Sequence, residues 1–387
     1  PRWSRISKIE ETKETRMPYH PEELLLSTIC ATVPRVDYAL VLHQLRRGGS
    51  EKEGILHVNA YRELFPAHKI AVILTSPLDP DLEWQLSNDI SVIELGKELT
   101  ALQLDSGEKS YFLYRLLDQL DPRTIHVKGS DTGWNVLTTY GQQLAKKSKL
   151  LANLYCVDYL QDGTPISFGF AHLPRLAHTL TCLLADNQNV LDQMKTLVRV
   201  PTRKVAYPVE LPPRKWSAPR KDEPFRVLWC SRLSFQKSIN QLLLAASVFK
   251  DYEFHVYGEQ SDELPYVEAF NQFPNVTYWG LFDHIEEVDL SRFRCFLYTS
   301  FWDGLPNILL EVGTYGMPII SPRVGGIGEI LNERNSFLYD SGTELLRILN
   351  FWSDERAAEA GRRLRDDIAE AHTWEHFLDE CRVIYGS

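Results

Sequence analysis

Ser300–Glu311 reads S-F-W-D-G-L-P-N-I-L-L-E, and an apolar run, Cys295–Tyr298, leads straight into it. The run has the length and composition of a buried strand. The Gly- and Pro-containing turn breaks it, and the apolar spacing that follows is helical. A strand, a loop and a helix N-terminus are therefore expected in sequence. The first backbone N–H groups of a helix have no intrahelical acceptor and carry the positive end of its dipole, so they suit a phosphate. Gly304 is expected to let the backbone approach a ligand closely, and Pro306 fits the first helical turn because its missing N–H costs nothing there. Leu305 and Asn307 complete the turn. Asp303 lies in the loop and Glu311 eight residues later in the helix, so two carboxylates flank the phosphate seat.

Outward from this stretch, short apolar runs alternate with helix-length segments. Before residue 208 the runs are Tyr38–His43, Ile70–Thr75, Ser91–Leu95, Thr124–Val127, Leu150–Tyr155, Thr181–Ala185 and Lys204–Tyr207. After residue 224 they are Phe225–Cys230, Glu253–Tyr257, Val276–Trp279, Cys295–Tyr298, Met317–Ile320 and Ser336–Tyr339. Such alternation predicts βαβ units and parallel sheets. Between the two series, Pro208–Pro224 is too rich in proline for the interior of any element and reads as a linker. The expected division is an arm or linker over 1–35, a Rossmann-like domain over 36–207, the linker over 208–224, a second Rossmann-like domain over 225–370, and a terminal helix over 371–387. A chain of 387 residues exceeds what one core usually serves.

The overall charge of −10 conceals an asymmetry: residues 1–220 carry 27 Lys and Arg against 25 Asp and Glu, and the remainder 15 against 27. No basic stripe interleaved with aromatics is present, which argues against nucleic acid. Arg46-Arg47 and Lys146-Lys147-Lys149 read as solvated faces, or as patches that could meet anionic headgroups or an anionic acceptor. No apolar run approaches the ~20 residues of a membrane span, and no signal peptide is seen. Six scattered cysteines without C-x-x-C spacing read as reduced, buried thiols of a cytoplasmic protein. A start at Pro1 without Met reads as a processed chain or a piece of a longer one.

Further chemistry clusters after residue 225. Trp229–Lys237, W-C-S-R-L-S-F-Q-K, follows a strand end, where ligands collect in open α/β sheets. Arg232 and Lys237 could there neutralise a diphosphate. Tyr278–Asp283, Y-W-G-L-F-D, offers a turn at Gly280 and side chains, Leu281 or Phe282, that could pack on a flat ring. Core packing explains its aromatics equally well. Gly316 reads as a helix C-cap and Gly325-Gly326 as a tight loop. His372–His376, H-T-W-E-H, fits an inverted zinc-peptidase pattern, but too little chain follows to supply a third ligand. No octahedral carboxylate cluster suggests Mg²⁺ or Mn²⁺.

Together, R-L-S-F-Q-K, Y-W-G-L-F-D, the Asp303–Glu311 motif and T-Y-G-M-P-I-I-S-P-R-V-G-G-I-G-E-I resemble the donor domain of retaining GT-B glycosyltransferases, the family 4 or group 1 type. The likeness is close from Phe225 onward and looser before Pro201. In the first half, R-R-G-G-S-E-K, Arg46–Lys52, is similar to that family's glycine loop and makes Gly49 a candidate donor or acceptor contact. The departures are Asp303 for the usual first Glu, Ser231 and Ser238 for two glycines, and no His in Leu151–Gly163. Asp158, with Asp162 second, is the nearest substitute for that His. His126 could also reach the cleft, although a structural role is the plainer reading, and Lys128 and Asp131 share its strand-end loop.

The resemblance implies a GT-B fold, two Rossmann-like domains facing a cleft, with the terminal helix crossing back to the first. It implies a metal-independent, retaining transferase with no cofactor, moving a sugar from a nucleotide-diphosphate donor to a glycan or lipid-linked glycan in bacterial surface polysaccharide synthesis (O-antigen or capsule). Arg232, Lys237 and the amides at Gly304–Asn307 would hold the diphosphate, Glu311 the ribose and Asp303 the sugar. Gly280 and Leu281 would frame the base. Peripheral association with the inner face of the plasma membrane is compatible with this. Other readings are an inverting or phosphorylase-type GT-B enzyme, with Asp158 as base, and a non-catalytic scaffold domain of a larger synthase.

Overall fold

The computed structural model describes residues 20–386 apart from 46–48, 78–85, 214, 262–263 and 283. Two compact units divide the chain: residues up to Asn153 with His172–Leu183, and Leu154–Ala171 with Leu184–Ser387.

In the first unit, parallel strands Tyr38–Leu42, Ile70–Leu74 and Thr124–Lys128 are buried along their whole length. That explains their continuous apolar sequences, since helices cover both faces of a parallel sheet. Tyr38–Leu42 lies between Ile70–Leu74 and Thr124–Lys128; Ser91–Glu94 and Lys149–Asn153 lie outside them. The order is 3-2-1-4-5. The helix Gly49–Leu64 follows the first strand. Residues 21–32, expected as part of an irregular arm, form a helix, Pro21–Thr32, with Pro at its start. It is held by burial of Leu26 and Ile29 and by an Arg115–Glu23 ion pair. The preceding residues of the arm, and Arg46-Arg47, lie outside the described residues.

The second unit holds six parallel strands in the order Val276–Gly280, Tyr252–Tyr257, Phe225–Cys230, Cys295–Leu297, Ile319–Pro322, Phe337–Tyr339. Numbered along the chain this is 3-2-1-4-5-6, with the reversal of direction between Phe225–Cys230 and Cys295–Leu297. In open α/β sheets ligands bind outside the carboxyl ends of the strands at such a point. Its core includes Val227, Trp229, Leu242, Phe254, Cys295 and Ile320, all buried. The short strand expected at Lys204–Tyr207 lies at Thr202–Lys204 instead.

Two features depart from the expected division. The compact units do not part at residue 208: Leu154–Ala171 and the stretch after Leu183 belong with the second unit. Their side chains bind its loops; Trp302 Nε1 donates to Asp158 Oδ1 at 3.1 Å, and the backbone N–H of Gln188 donates to Glu329 Oε1 at 2.6 Å. Within the first of these segments, Asp158–Tyr159 and Pro165–Ile166 pair as a small antiparallel hairpin that periodicity gives no sign of. The proline-rich stretch is irregular but pinned to this unit. Val209 N donates to His372 O, Trp216 N to Tyr315 O, and Trp216 Nε1 to Phe293 O. The terminal helix, Trp374–Gly386, follows helix Asp354–Ala371 after two intervening residues, His372 and Thr373. Glu380 on it accepts from Arg203 at 3.1 Å, a residue of the same unit. Among the described residues no helix is long and apolar enough to cross a membrane.

Candidate donor site

Strand register explains how residues far apart in sequence meet. Val227 and Leu228 lie opposite Cys295 and Phe296, so the loops after both strands leave the sheet side by side. The first carries Arg232 and Lys237; the second carries Asp303. Thr299 fastens them: its hydroxyl accepts from Trp229 Nε1 at 2.9 Å and donates to the Lys237 carbonyl at 2.6 Å. Lys237 Nζ then lies 2.5 Å from Asp303 Oδ2 and 3.1 Å from the Tyr298 hydroxyl. The Tyr298 hydroxyl donates to the same Oδ2, and Gly304 N donates to Asp303 Oδ1 at 3.0 Å.

Asp303 is thus a carboxylate held in one orientation by three donors, beside a lysine that is itself 7% exposed. Lys237, expected as a point charge for a diphosphate, is here engaged by Asp303. Tyr298 is fully buried and was missed by sequence reasoning. The only signal was its place at the end of the apolar run, where it reads as one more core aromatic. Burial, and secondly the Asp303 charge, push its phenol far above the ordinary range, so it stays protonated and donates. Cys156 nearby is likewise pushed up by burial, then by Asp158 and Asp303, and is no thiolate nucleophile.

Glu311 sits half-buried in the helix Asn307–Thr314. After burial, its charge is the next cause raising the pKa of the Cys230 thiol, at the end of strand Phe225–Cys230. Arg232 is exposed and forms no ion pair among the described residues. Pro306 is the N-cap residue rather than part of the first turn, and Leu305 is buried.

Gly304 departs from its expected role. A Cβ there would lie 2.0 Å from the Tyr155 carbonyl oxygen, so the close approach is to backbone and not to a ligand. Gly325, with φ +53, is packed the same way against the Asp303 carbonyl, at 1.7 Å. Gly326 N donates to Gly304 O at 3.0 Å. The two glycines after strand Ile319–Pro322 are there to seat the acidic loop. Tyr315 is the C-cap of helix Asn307–Thr314, and Gly316, at φ +76, is the left-handed residue just after it. Ser238, where the resemblance leads one to expect glycine, takes φ +46 and buries its hydroxyl without a partner.

At the far strand end, Gly280 has φ +79, and Leu281 is 58% exposed. The Trp279 ring stacks parallel to His255 and Tyr257, and Phe282 meets Tyr257 edge-on. Phe282 is therefore spent on packing, and Leu281 and the outer face of Trp279 remain for a flat ring. Asp283 of this segment lies outside the described residues.

The remaining candidates are dispersed. Asp158 is exposed and accepts from Trp302. Asp162 accepts from Thr164 N as a turn residue. Gly49 opens the first unit's helix Gly49–Leu64. His126 is fully buried, bonded to Tyr38 and Asn153, which settles it as structural; Lys128 pairs with the buried Glu53 at 3.1 Å. Asp131 begins the helix Asp131–Leu144. Lys147 pairs with Asp118. His372 Nδ1 donates to the Tyr207 carbonyl oxygen at 2.7 Å, and no metal-holding group of His, Cys, Asp or Glu forms among the described residues.

Two Rossmann-like units in one chain, with this sheet order in the second, define the GT-B fold. Solved structures share it. HepE of Anabaena, determined with UDP and glucose, has a TM-score of 0.69 at 15% identity, over 91% of this chain and 100% of that one. The lipopolysaccharide outer core galactosyltransferase WaaB, in apo form, has a TM-score of 0.68 at 16% identity, over 90% and 99%. Residues 224–349 match the family model of glycosyl transferases group 1. Among curated proteins, the chain is 30% identical over 146 residues to the lipopolysaccharide 1,6-galactosyltransferase of Escherichia coli K12. That match covers 35% of this chain and 41% of the relative's length.

Proposed function

We propose that the chain is a retaining, metal-independent glycosyltransferase that moves a sugar from a nucleotide-diphosphate donor to a hydroxyl of a glycan or lipid-linked glycan. The observation that carries this is the contact of Lys237 with Asp303 between the loops that follow two adjacent strands, with Arg232 in the first loop and Glu311 in the helix after the second. The match of residues 224–349 to glycosyl transferases group 1 supports it.

In this reading the diphosphate lies between Arg232 and the helix start at Asn307, and draws on Lys237. These charges stabilise the leaving group as the glycosidic bond breaks, the part a metal plays elsewhere. Glu311 accepts hydrogen bonds from the ribose hydroxyls. Asp303, already oriented by Tyr298, Lys237 and Gly304, accepts from a hydroxyl of the transferred sugar. The acceptor hydroxyl attacks from the face the phosphate leaves, and its proton passes to the departing phosphate oxygen. No enzyme base is then required, unlike a glycosidase with two flanking carboxylates. A role in surface polysaccharide synthesis accords with the lipopolysaccharide galactosyltransferases among the relatives.

A second reading has one observation in its favour: Lys237 and Asp303 satisfy one another, as in a binding domain without turnover. A thermal-shift panel of UDP, GDP, dTDP and ADP, with and without Mg²⁺, tests the first reading. At ~100 times its dissociation constant a ligand adds ~2.7 kcal/mol of stability. One diphosphate should shift the wild type without metal and fail on Glu311→Ala. UDP is the first candidate, given the ligand bound in HepE. Binding without hydrolysis of the matching nucleotide sugar would favour the second reading. No shift from any nucleotide would end both.

A further inference from the structure

A cavity of about 580 Å³ opens beside Asp303, walled by the hairpin after Cys156, the helix after Asn187 and the loop Phe301–Asp303. All its walls belong to the second unit. Four aromatic rings face it. Tyr159 meets Trp302 edge-on at 5.6 Å, Phe235 lies 5.5 Å from Phe301 and 6.0 Å from Trp302, and Phe301 and Trp302 lie nearly parallel. Phe301 is 47% exposed, although aromatics of this size are ordinarily covered. The Trp302 indole is fixed by its bond to Asp158.

The polar lining is as informative. Gln161 makes no hydrogen bond among the described residues. Gln193 Nε2 donates to Asn189 Oδ1 at 2.7 Å, which leaves Asn189 Nδ2 as a donor and Gln193 Oε1 as an acceptor toward the cavity. An acyl or prenyl chain lying here would desolvate the free Asn189 Nδ2, Gln193 Oε1 and Gln161 amide groups without compensation. A pyranose ring answers both halves of the lining. Its C–H face, carrying partial positive charge, stacks on the negative face of an aromatic ring, and its hydroxyls meet the amides.

We propose that this cavity binds the terminal pyranose of the acceptor, on the Phe301–Trp302 platform with Asn189 and Gln193 on its hydroxyls. The inference rests on the transferase reading and extends it. The cavity lining contains neither Arg232, Gly280, Glu311 nor the helix start at Asn307, so the nucleotide lies outside it. Asp303 is the residue common to both, which places the two sugars on either side of the atom where one is handed to the other. Asp158 acts here as a positioning residue for Trp302, not as a base.

The test uses saturation-transfer NMR on the full chain with methyl glycosides of galactose, glucose and N-acetylglucosamine, beside UDP. At least one glycoside should give signal with the wild type. Trp302→Ala should weaken it tenfold or more, Trp302→Phe should restore most of it, and UDP binding should persist in both. If no glycoside binds while UDP does, the acceptor inference falls and the transferase reading stands. If neither binds, both fall. A glycoside signal indifferent to Trp302→Ala and Phe301→Ala places the ring elsewhere and overturns the inference. So does a Trp302→Ala chain that loses the affinity gain of a UDP-sugar over UDP, since the cavity would then hold the donor's own sugar.

Discussion

Tyr298→Phe is the substitution that asks most of the site. It removes one oxygen and keeps the ring, including its contact with the Lys237 ammonium, 5.5 Å from the ring centre. That oxygen donates to Asp303 Oδ2 and accepts from Lys237 Nζ, so a carboxylate loses a donor and a nearly buried ammonium loses an acceptor. Hydrogen bonds to charged groups contribute about 1.5–3 kcal/mol each, and the remaining pair partly reorganises, so a net loss of about 2 kcal/mol is expected. For a unit of this size that lowers Tm by roughly 4–8 °C. If the phenol orients Asp303 for the sugar, the same ~2 kcal/mol appears as a roughly 30-fold slower hydrolysis or transfer of the donor. Urea unfolding reads the first quantity, and turnover of the nucleotide sugar identified by thermal shift reads the second. A double-mutant cycle with Asp303→Asn decides the mechanism. Should Tyr298→Phe cost the same in the Asp303→Asn background, the hydroxyl does not act through the carboxylate and the reasoning is refuted.

Ser238→Gly should stabilise the protein by about 1 kcal/mol, because it relieves a left-handed residue and an unpartnered buried hydroxyl against a smaller loss of chain entropy; an unchanged or lower urea midpoint contradicts this. Gly304→Ala should cost about 3 kcal/mol and distort the acidic loop, since its Cβ meets the Tyr155 carbonyl; a thermal melt within 2 °C of wild type would show that the loop yields freely. Stability should fall on acidification in two stages. Burial, then the Lys128 charge, hold His57 at about 4 instead of 6.5, so between those values the unfolded chain takes up a proton that the folded one refuses, a loss on the order of 3 kcal/mol. Burial would raise Glu53, but Lys128 and His57 outweigh it and hold it at about 2, so a further loss follows from pH 4.5 downward. Denaturant midpoints from pH 7 to 4 should flatten in His57→Gln, and an equal slope in that variant removes His57 as the cause.

The parallel sheets were legible because their strands are buried on both faces and so carry unbroken apolar runs. The acidic loop was legible because a phosphate seat, a glycine and two carboxylates lie within one short stretch. Contacts between loops left no such mark. Lys237 reads as a lone cation until the register of Phe225–Cys230 against Cys295–Leu297 sets it on Asp303. Gly304 suggests room for a ligand, and only the Tyr155 backbone across from it shows that the room is taken. The hairpin Asp158–Ile166 has two residues a strand, too few for any period to register. The helix at Pro21–Thr32 was obscured by its charges, and its proof is tertiary, in the burial of Leu26 and Ile29.

The seating of Gly304 against Tyr155 and of Gly326 against Asn187 has a consequence for how this protein can be taken apart. The stretch recognisable by family likeness begins at residue 224, yet two of the surfaces on which its acidic loop rests come from residues some 40 to 70 positions earlier. A fragment cut at the proline-rich stretch would keep every charged donor residue and lose the floor beneath them. Hybrids between this chain and a relative would need to exchange two separated segments as one piece, 154–171 and everything from 184 onward, to carry a donor preference across intact.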